Sequence, residues 1–594
     1  MPTRHAPLKS RWRALLVSVA APFVLAFSGL GCTLKADVAA TGTAPANATH
    51  LAITVEEVWL ATGADTPPEA TAGWVKTVLP APVTIDLATL TPATLATLVS
   101  AASVPAGTYR QVHLVTADTA DALQGSASAL GLSSNQEITV QASDGTLNTQ
   151  PLESPVPGGG ITIATDLVLA GSFSFGQSST NSSTTGTTGT AATTDTTGTT
   201  DTTGTTATTS TTGLTSSSSS TTTATLAVSL DAARDVLPYT YGTTTGYVLS
   251  PIATALDEKV AGAISGSVDA SALNPGYGPI SVSAEVPDAT GSHHTVVLRR
   301  VVGSGGSFSL YPLPAPSSGT TSYDIVISSS GANTVVIRGV PVAANPVTSP
   351  VVVQSTPILL TAATPVYANV SAQATVLPGG ARVLFYQTVT GSGETPYVVD
   401  GTAVDMVTRR LPGDAFALSN GPLSVGNYAG GDAIGFSTLA PVEGQGGYVV
   451  GSEGAYRADA LAAAPSVVNG SGTAPTPVLP PFPSVASGGT AGTIVLTLTA
   501  PAGEFDSGFV IVSAGNRVID TASVGTLLAA GGGTLNLTNL PAGHGLAPTA
   551  GVPYQLSVRA WNSTSPASTL VRAVTTASVV LGDSGSGSAA LDLQ

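Results

Sequence analysis

The sequence holds one cysteine, Cys32, in 594 residues. A single thiol cannot close an intramolecular disulfide or build a multi-cysteine metal site, so stability must come from packed cores. Charge is scarce as well: 9% of residues are Asp, Glu, Lys or Arg, against roughly 25% in ordinary soluble domains. The formal net charge is −16, which repels a phosphate backbone and argues against nucleic-acid binding. Methionine occurs twice, and the other good helix formers, Glu, Lys and Gln, are also few, so long helices are disfavoured. No apolar run reaches the ~20 residues of a spanning helix. What is present is glycine (66), proline (42) and much Ser, Thr, Ala and Val. That mixture suits short β-branched strands joined by many turns. A single core stops growing near ~250–300 residues, so a chain of this length holds several domains.

The N-terminus reads as an address. "MPTRHAPLKSRWR" (1–13) carries Arg4, Lys9, Arg11 and Arg13 and no acid. The apolar run "ALLVSVAAPFVLAF" (14–27) follows, interrupted by Pro22, then small residues up to Cys32. A basic region, a short apolar core and a small-residue exit describe a secretory leader. Its end, Gly29-Leu30-Gly31-Cys32, resembles the lipobox of bacterial lipoproteins, with Gly29 where that family usually has leucine. The resemblance implies cleavage between Gly31 and Cys32, with lipid on the Cys32 sulfur and acylation of the new amino terminus. Several acyl chains, at ~0.8 kcal/mol per buried CH₂, suffice for stable anchoring. Thr33 stands where an aspartate would resemble an inner-membrane retention signal, so in a Gram-negative cell the outer membrane is expected.

Residues 1–31 are thus read as the leader and 32–48 as a small, polar tether. In "THLAITVEEVWLA" (49–61), Leu51, Ile53 and Val55 alternate, and the phase shifts before Val58 and Leu60, predicting a strand with a bulge. "VPAGTYRQVHLVTAD" (104–118) predicts a Pro-Ala-Gly turn followed by a strand, whereas "TPATLATLVSAA" (91–102) has helical spacing at Leu95, Leu98 and Val99. Residues 178–224 are almost wholly Ser, Thr and Gly and lack the apolar surface to offset chain entropy, so disorder is expected. They read either as a flexible loop or as an O-glycosylated stalk.

"WVKTVLPAPVTIDLATL", "VPAGTYRQVHLV", "LDAARDVL" and "GYVLSPI" together resemble the DUF4382 domain of bacterial lipoproteins. The low-complexity tract then becomes an insertion within one domain, 49–256, and the family, being of unknown function, implies no catalytic residues. In 257–356, "AGAISGSV", "ISVSA", "GSFSLYPLP" and "YDIVI" follow in order and resemble the carboxypeptidase regulatory-like, transthyretin-like β-sandwich, a module without peptidase activity. A third β-rich unit is expected over 357–464, a Pro/Gly/Ser linker over 465–492 and a last sandwich over 493–594. The expected class is therefore all-β: tandem β-sandwich modules with a disordered Ser/Thr/Gly insertion in the first domain.

Residues able to carry chemistry are few. His293 and His294 are adjacent, so on a strand they point to opposite faces, and an exposed turn is the simplest reading. His113 lies on a strand face as a packed or surface side chain. "LGDSGSGS" (581–588) has the letters of a serine-protease nucleophile loop at Ser584, but no matching histidine motif precedes it. The glycine runs "PGGGITIA" and "AAGGGTLNL" lack the Lys-Ser/Thr and helix of a phosphate loop. Glu56-Glu57 and Asp231/Asp235 do not make an Asp-rich calcium loop. Trp59, Trp74 and Trp561 read as core anchors. No catalytic residue, metal site or cofactor is expected. The expected role is non-catalytic binding or structural work by a lipid-anchored envelope protein. Its partners would be the membrane, through the lipid, and a polysaccharide or an envelope or host protein. The alternatives are an accessory subunit of an envelope assembly or a hydrolase with an unrecognised site.

Overall fold

The computed structural model describes residues 33–169 and 223–593, apart from short stretches, the longest being 373–381, 406–414, 440–447, 454–465, 469–477, 480–491, 543–551 and 564–571. Strands dominate, and the helices are single turns such as Gly125–Ala129 and Gly525–Ala529. The all-β class follows from the composition: β-branched runs between glycine and proline turns form pleated surfaces.

The first domain packs two sheets. The larger has the order Val236–Tyr241, Thr244–Leu249, Leu147–Glu153, Gln136–Gln141, Ala48–Ala61, Gly107–Thr116 and Ile161–Leu169, with Trp74–Asp86 also paired to Ala48–Ala61. The smaller has the order Ile252–Asp257, Thr223–Asp231, Thr33–Thr43 and Ala96–Pro105. Leu51, Ile53, Val58 and Leu60 from one sheet meet Val38, Leu226, Val228 and Leu230 from the other in one core. The phase shift predicted before Val58 is a bulge: the register slips between Val55 and Glu57 against both neighbouring strands. One extra residue there keeps apolar side chains inward on both sides of it.

Two local expectations are corrected. Residues 33–43 of the expected tether are a strand, held between Ala96–Pro105 (antiparallel) and Thr223–Asp231 (parallel). Val38 and Ala40 supply its buried face, which is enough to fix a small polar segment once both edges are paired. The expected helix over 91–102 is, in its described part, the strand Ala96–Pro105. Two register irregularities opposite Ala36–Ala39 bring both Leu98 and Val99 inward, so a bulged strand gives helix-like spacing. Of the expected disordered insertion only Thr223 and Ala224 fall among the described residues, and they begin a strand.

In the second module Ala261–Asp269 pairs with Ser307–Pro314, Val351–Val352 and Ile358–Leu359. It faces a six-stranded sheet ordered His294–Val301, Ser281–Pro287, Thr321–Ser328, Val335–Val342, Leu423–Asn427 and Phe436–Leu439. The boundary read at 356/357 is therefore crossed: Ile358–Leu359 and Leu423–Leu439 contribute strands to the second module. A Cβ at Gly266 would lie 2.5 Å from the Phe308 ring, so the glycine of "ISGSV" makes room for that buried aromatic.

The third unit contributes the sheet Tyr397–Asp405, Arg382–Val389, Tyr448–Glu453 and Ser466–Val468. Two pieces of the expected linker are thus paired, Ser466–Val468 with Tyr448–Glu453 and Val478–Leu479 with Ser371–Ala372. The last sandwich sets Gly492–Thr499, Gly532–Leu540 and Ser586–Asp592 against Arg517–Ser523, Ser507–Ala514, Val552–Trp561 and Arg572–Leu581.

The turn feeding Phe308 gives a paired test. Gly306 has φ +74° and a Cβ there would sit 2.4 Å from the Val268 carbonyl oxygen, whereas a Cβ at Gly305 meets nothing. Gly306→Ala is expected to destabilise the second module by about 1–3 kcal/mol, and Gly305→Ala to be silent, in urea unfolding.

Candidate functional site at the junctions between modules

Most strands of an exposed sandwich alternate between a buried and a solvated face. Among the described residues, three junctions bury an outer sheet face against another module.

The last sandwich presents the first case. Val510 and Val512 point into its own core with Tyr554, Leu556 and Val558. Phe509, Ile511, Val518 and Trp561 on the opposite face are also buried, in a cluster with Val248 of the first domain. Phe509 and Trp561 meet edge to face at 5.8 Å. Beside them Arg559 reaches into the first domain. Its Nη1 donates to both Asp118 carboxylate oxygens at 3.2 and 3.1 Å, and its Nη2 donates to the Ser154 carbonyl at 3.1 Å. Its Nε lies 3.1 Å from Glu153 Oε2, which also accepts from Thr119 Oγ1 at 2.9 Å. All three ionic side chains are buried. The pairing offsets the large cost of taking these charges from water.

The second case is the outer face of the second module's sheet. Tyr323, Ile325 and Ile327 fill its core, while Val326 and Val336 pack with Val389, Tyr397, Val399 and Leu423. Here the pair read as an exposed turn, His293-His294, is buried. His293 meets Tyr386 edge-on at 4.8 Å, and His294 stacks on Tyr397 at 4.0 Å. The Tyr397 hydroxyl donates to Asp324 Oδ2 at 2.9 Å, and Asp324 Oδ1 accepts from the Gly339 N–H at 3.0 Å. Burial, with the Asp324 charge beside it, holds the Tyr397 phenol far above its ordinary pKa. His294 opens the strand His294–Val301 with His293 just before it, and their two aromatic partners, about a hundred residues downstream in a covering sheet, left no local signal in the sequence.

The third junction joins the first and second modules through Ala227, Ala261, Ala263 and Tyr311. Arg300 is buried there and donates to Ser229 Oγ and, at 3.0 Å, to the Tyr311 carbonyl. Burial lowers its guanidinium to about 10, partly opposed by Asp231.

One aromatic group faces outward. Trp59, Trp74 and His113 share a row on the first domain's larger sheet, with Trp59–His113 at 5.2 Å and Trp59–Trp74 at 6.0 Å. Lys76 Nζ sits 3.6 Å from the centre of the Trp59 ring, and Trp59 Nε1 donates to Glu57 Oε2 at 2.6 Å. Trp59 and Trp74 are half-buried rather than core residues, while Trp561 is buried at a junction. His113 is covered by the two indoles, and burial, aided by Lys76, lowers its pKa to about 4.

Cys32 and Gly31 lie outside the described residues, as does His544. Ser584 sits in the turn before Ser586–Asp592, where its hydroxyl accepts from the Ser586 N–H at 3.5 Å. His50 pairs with Asp86 at 2.6 Å on the surface. Among the described residues no three His, Cys, Asp or Glu side chains converge as a metal site, and none forms a helix long and apolar enough to cross a membrane.

This arrangement defines a multi-module β protein whose first domain contacts two others. Residues 41–251 match the family described as "Domain of unknown function (DUF4382)", so the first domain is a DUF4382 domain. No curated protein matches the chain. Among solved structures, the pilus adhesin SpaC from Lactobacillus rhamnosus GG is similar at 11% identity, over 60% of this chain and 45% of that chain, with a TM-score of 0.13. The chain thus spans less than half of that adhesin's length, and so low a TM-score does not establish a common fold.

Two outcomes are expected. Arg559→Met strands two buried carboxylates and should cost about 3–5 kcal/mol in the unfolding of the last sandwich, with Arg559→Lys failing to restore the forked contact. A double-mutant cycle with Asp118→Asn should show strong coupling. For His113, the folded pKa of about 4 lies below the ordinary 6.5. Its contribution to stability is therefore complete above pH 6.5 and falls, by on the order of 3 kcal/mol, as the pH drops toward 4. His113→Gln should flatten that limb of the stability–pH curve.

Proposed function

We propose that this is a bacterial cell-envelope lipoprotein, acylated on Cys32 after removal of residues 1–31, with a non-catalytic binding or scaffolding role. One observation carries the reading: the only thiol in 594 residues stands where a basic, then apolar, leader ends. Thr33 in place of an aspartate favours the outer membrane.

The modules suit binding and spacing. The module built on 257–356, extended by the strands Ile358–Leu359, Leu423–Asn427 and Phe436–Leu439, is read as a carboxypeptidase regulatory-like sandwich, supported by the Gly266–Phe308 fit and the two-layer packing. Sandwich ends and loops would present the surface for a polysaccharide or for an envelope or host protein. Burial of outer sheet faces at the junctions holds such loops in fixed relation.

The test is acylation in a bacterial host. Wild-type chain should carry the diacylglyceryl mass, fractionate with membranes and accumulate as precursor under globomycin. Cys32→Ser should lose the lipid mass and become soluble. Equal lipidation and membrane retention of the variant would contradict the reading.

A further inference from the structure

Four points of the first domain converge at one pole. Thr33, the first residue of its strand, is paired with Pro105 at the end of Ala96–Pro105. The chain turns there into Gly107–Thr116, whose first residue is paired with Leu169 at the end of Ile161–Leu169. Thr223 begins its strand beside Lys35. The residue joined to Cys32, the Pro-Ala-Gly turn and both edges of the 170–222 segment therefore share one end of the domain. The other end lies far off. Ala61 sits level with Gln111 near this pole, and the 14-residue strand Ala48–Ala61 then runs about 45 Å toward the hairpin of Gln141 and Leu147.

We infer that this pole is a membrane-contacting surface: the first domain rests on the lipid headgroups with its Pro105–Gly107 turn down and without a stalk. The inference rests on acylation of Cys32. Consecutive Cα atoms are about 3.8 Å apart, so a cysteine held at the bilayer surface brings Thr33 to it. Thr33 cannot stand away, because its strand is paired on both sides. The surface suits that position. In a chain of net charge −16, the tip residues Thr33, Pro105, Ala106, Gly107 and Thr108 carry no charge. Among the residues whose exposure is described, the nearest exposed acid, Asp166, is paired with Arg110, and Val168 beside them is 54% exposed. Anionic lipid repels unpaired carboxylates and accepts such a neutral tip. The last sandwich docks through Asp118 and Glu153 partway along the domain, level with Thr54 and away from this pole.

The native thiol is consumed by lipid, so an introduced cysteine is the sole label site. Full-length chains with Ala106→Cys or Leu147→Cys, both at exposed positions, would be purified in acylated form and labelled with bimane. They would be reconstituted in phosphatidylethanolamine/phosphatidylglycerol vesicles containing headgroup-nitroxide lipid. Quenching is expected to be several-fold greater at 106 than at 147. A Gly/Ser insert of about 20 residues between Cys32 and Thr33 should erase that difference. Equal quenching at the two sites, or greater quenching at 147, on vesicles bearing chain of verified acyl mass would overturn the orientation. Absence of the acyl mass at Cys32 would instead overturn the acylation on which it rests, and the orientation with it.

Discussion

The arrangement of the modules depends on one constraint: a sheet that is apolar on both faces must be covered on both. The last sandwich makes this most plain. Phe509, Ile511 and Trp561 would be exposed on an isolated module, and Arg559 would project among them into water. Against the first domain the apolar residues lose their hydrated surface, and Arg559 finds two carboxylates and a carbonyl in fork geometry. Apolar burial drives the contact without directing it, while the ion group admits one docking position and penalises the others. The same division of labour recurs where His294, Tyr397 and Asp324 accompany the valines of the second junction.

Much of this fold was legible because its period is two. The strands over 49–61, 104–118 and 321–332 carry their alternation in plain residues, and the bulge before Val58 shows as a phase slip. The failures have a common physical origin. The strand Ala96–Pro105 looks helical because its pairing is irregular. Residues 33–43 look like tether because their order comes from neighbours 60 to 190 positions away rather than from their own apolar content. The junction site was harder still. Arg559 reads as an ordinary polar position on an alternating strand, and its partner Asp118 lies 441 residues upstream. The one local signal was "FVIV", apolar on both faces, which belongs to a sheet covered twice.

The functional account joins these pieces. The only residue with a foreseeable covalent chemistry lies at the start of the DUF4382 domain, and that domain carries two further modules on its surface. A chain built this way holds the loops of its modules in fixed relation to one another. It does so with packed faces rather than disulfides, as a sequence with one thiol must.

The central claim is that the last sandwich is docked on the first domain in the intact chain. Hydroxyl-radical footprinting of the full-length protein tests it residue by residue. The account predicts that Phe509 and Trp561 oxidise as slowly as Tyr554 in the sandwich core. If they oxidise as fast as the exposed Tyr277, the outer face is open to water and the docked arrangement is wrong.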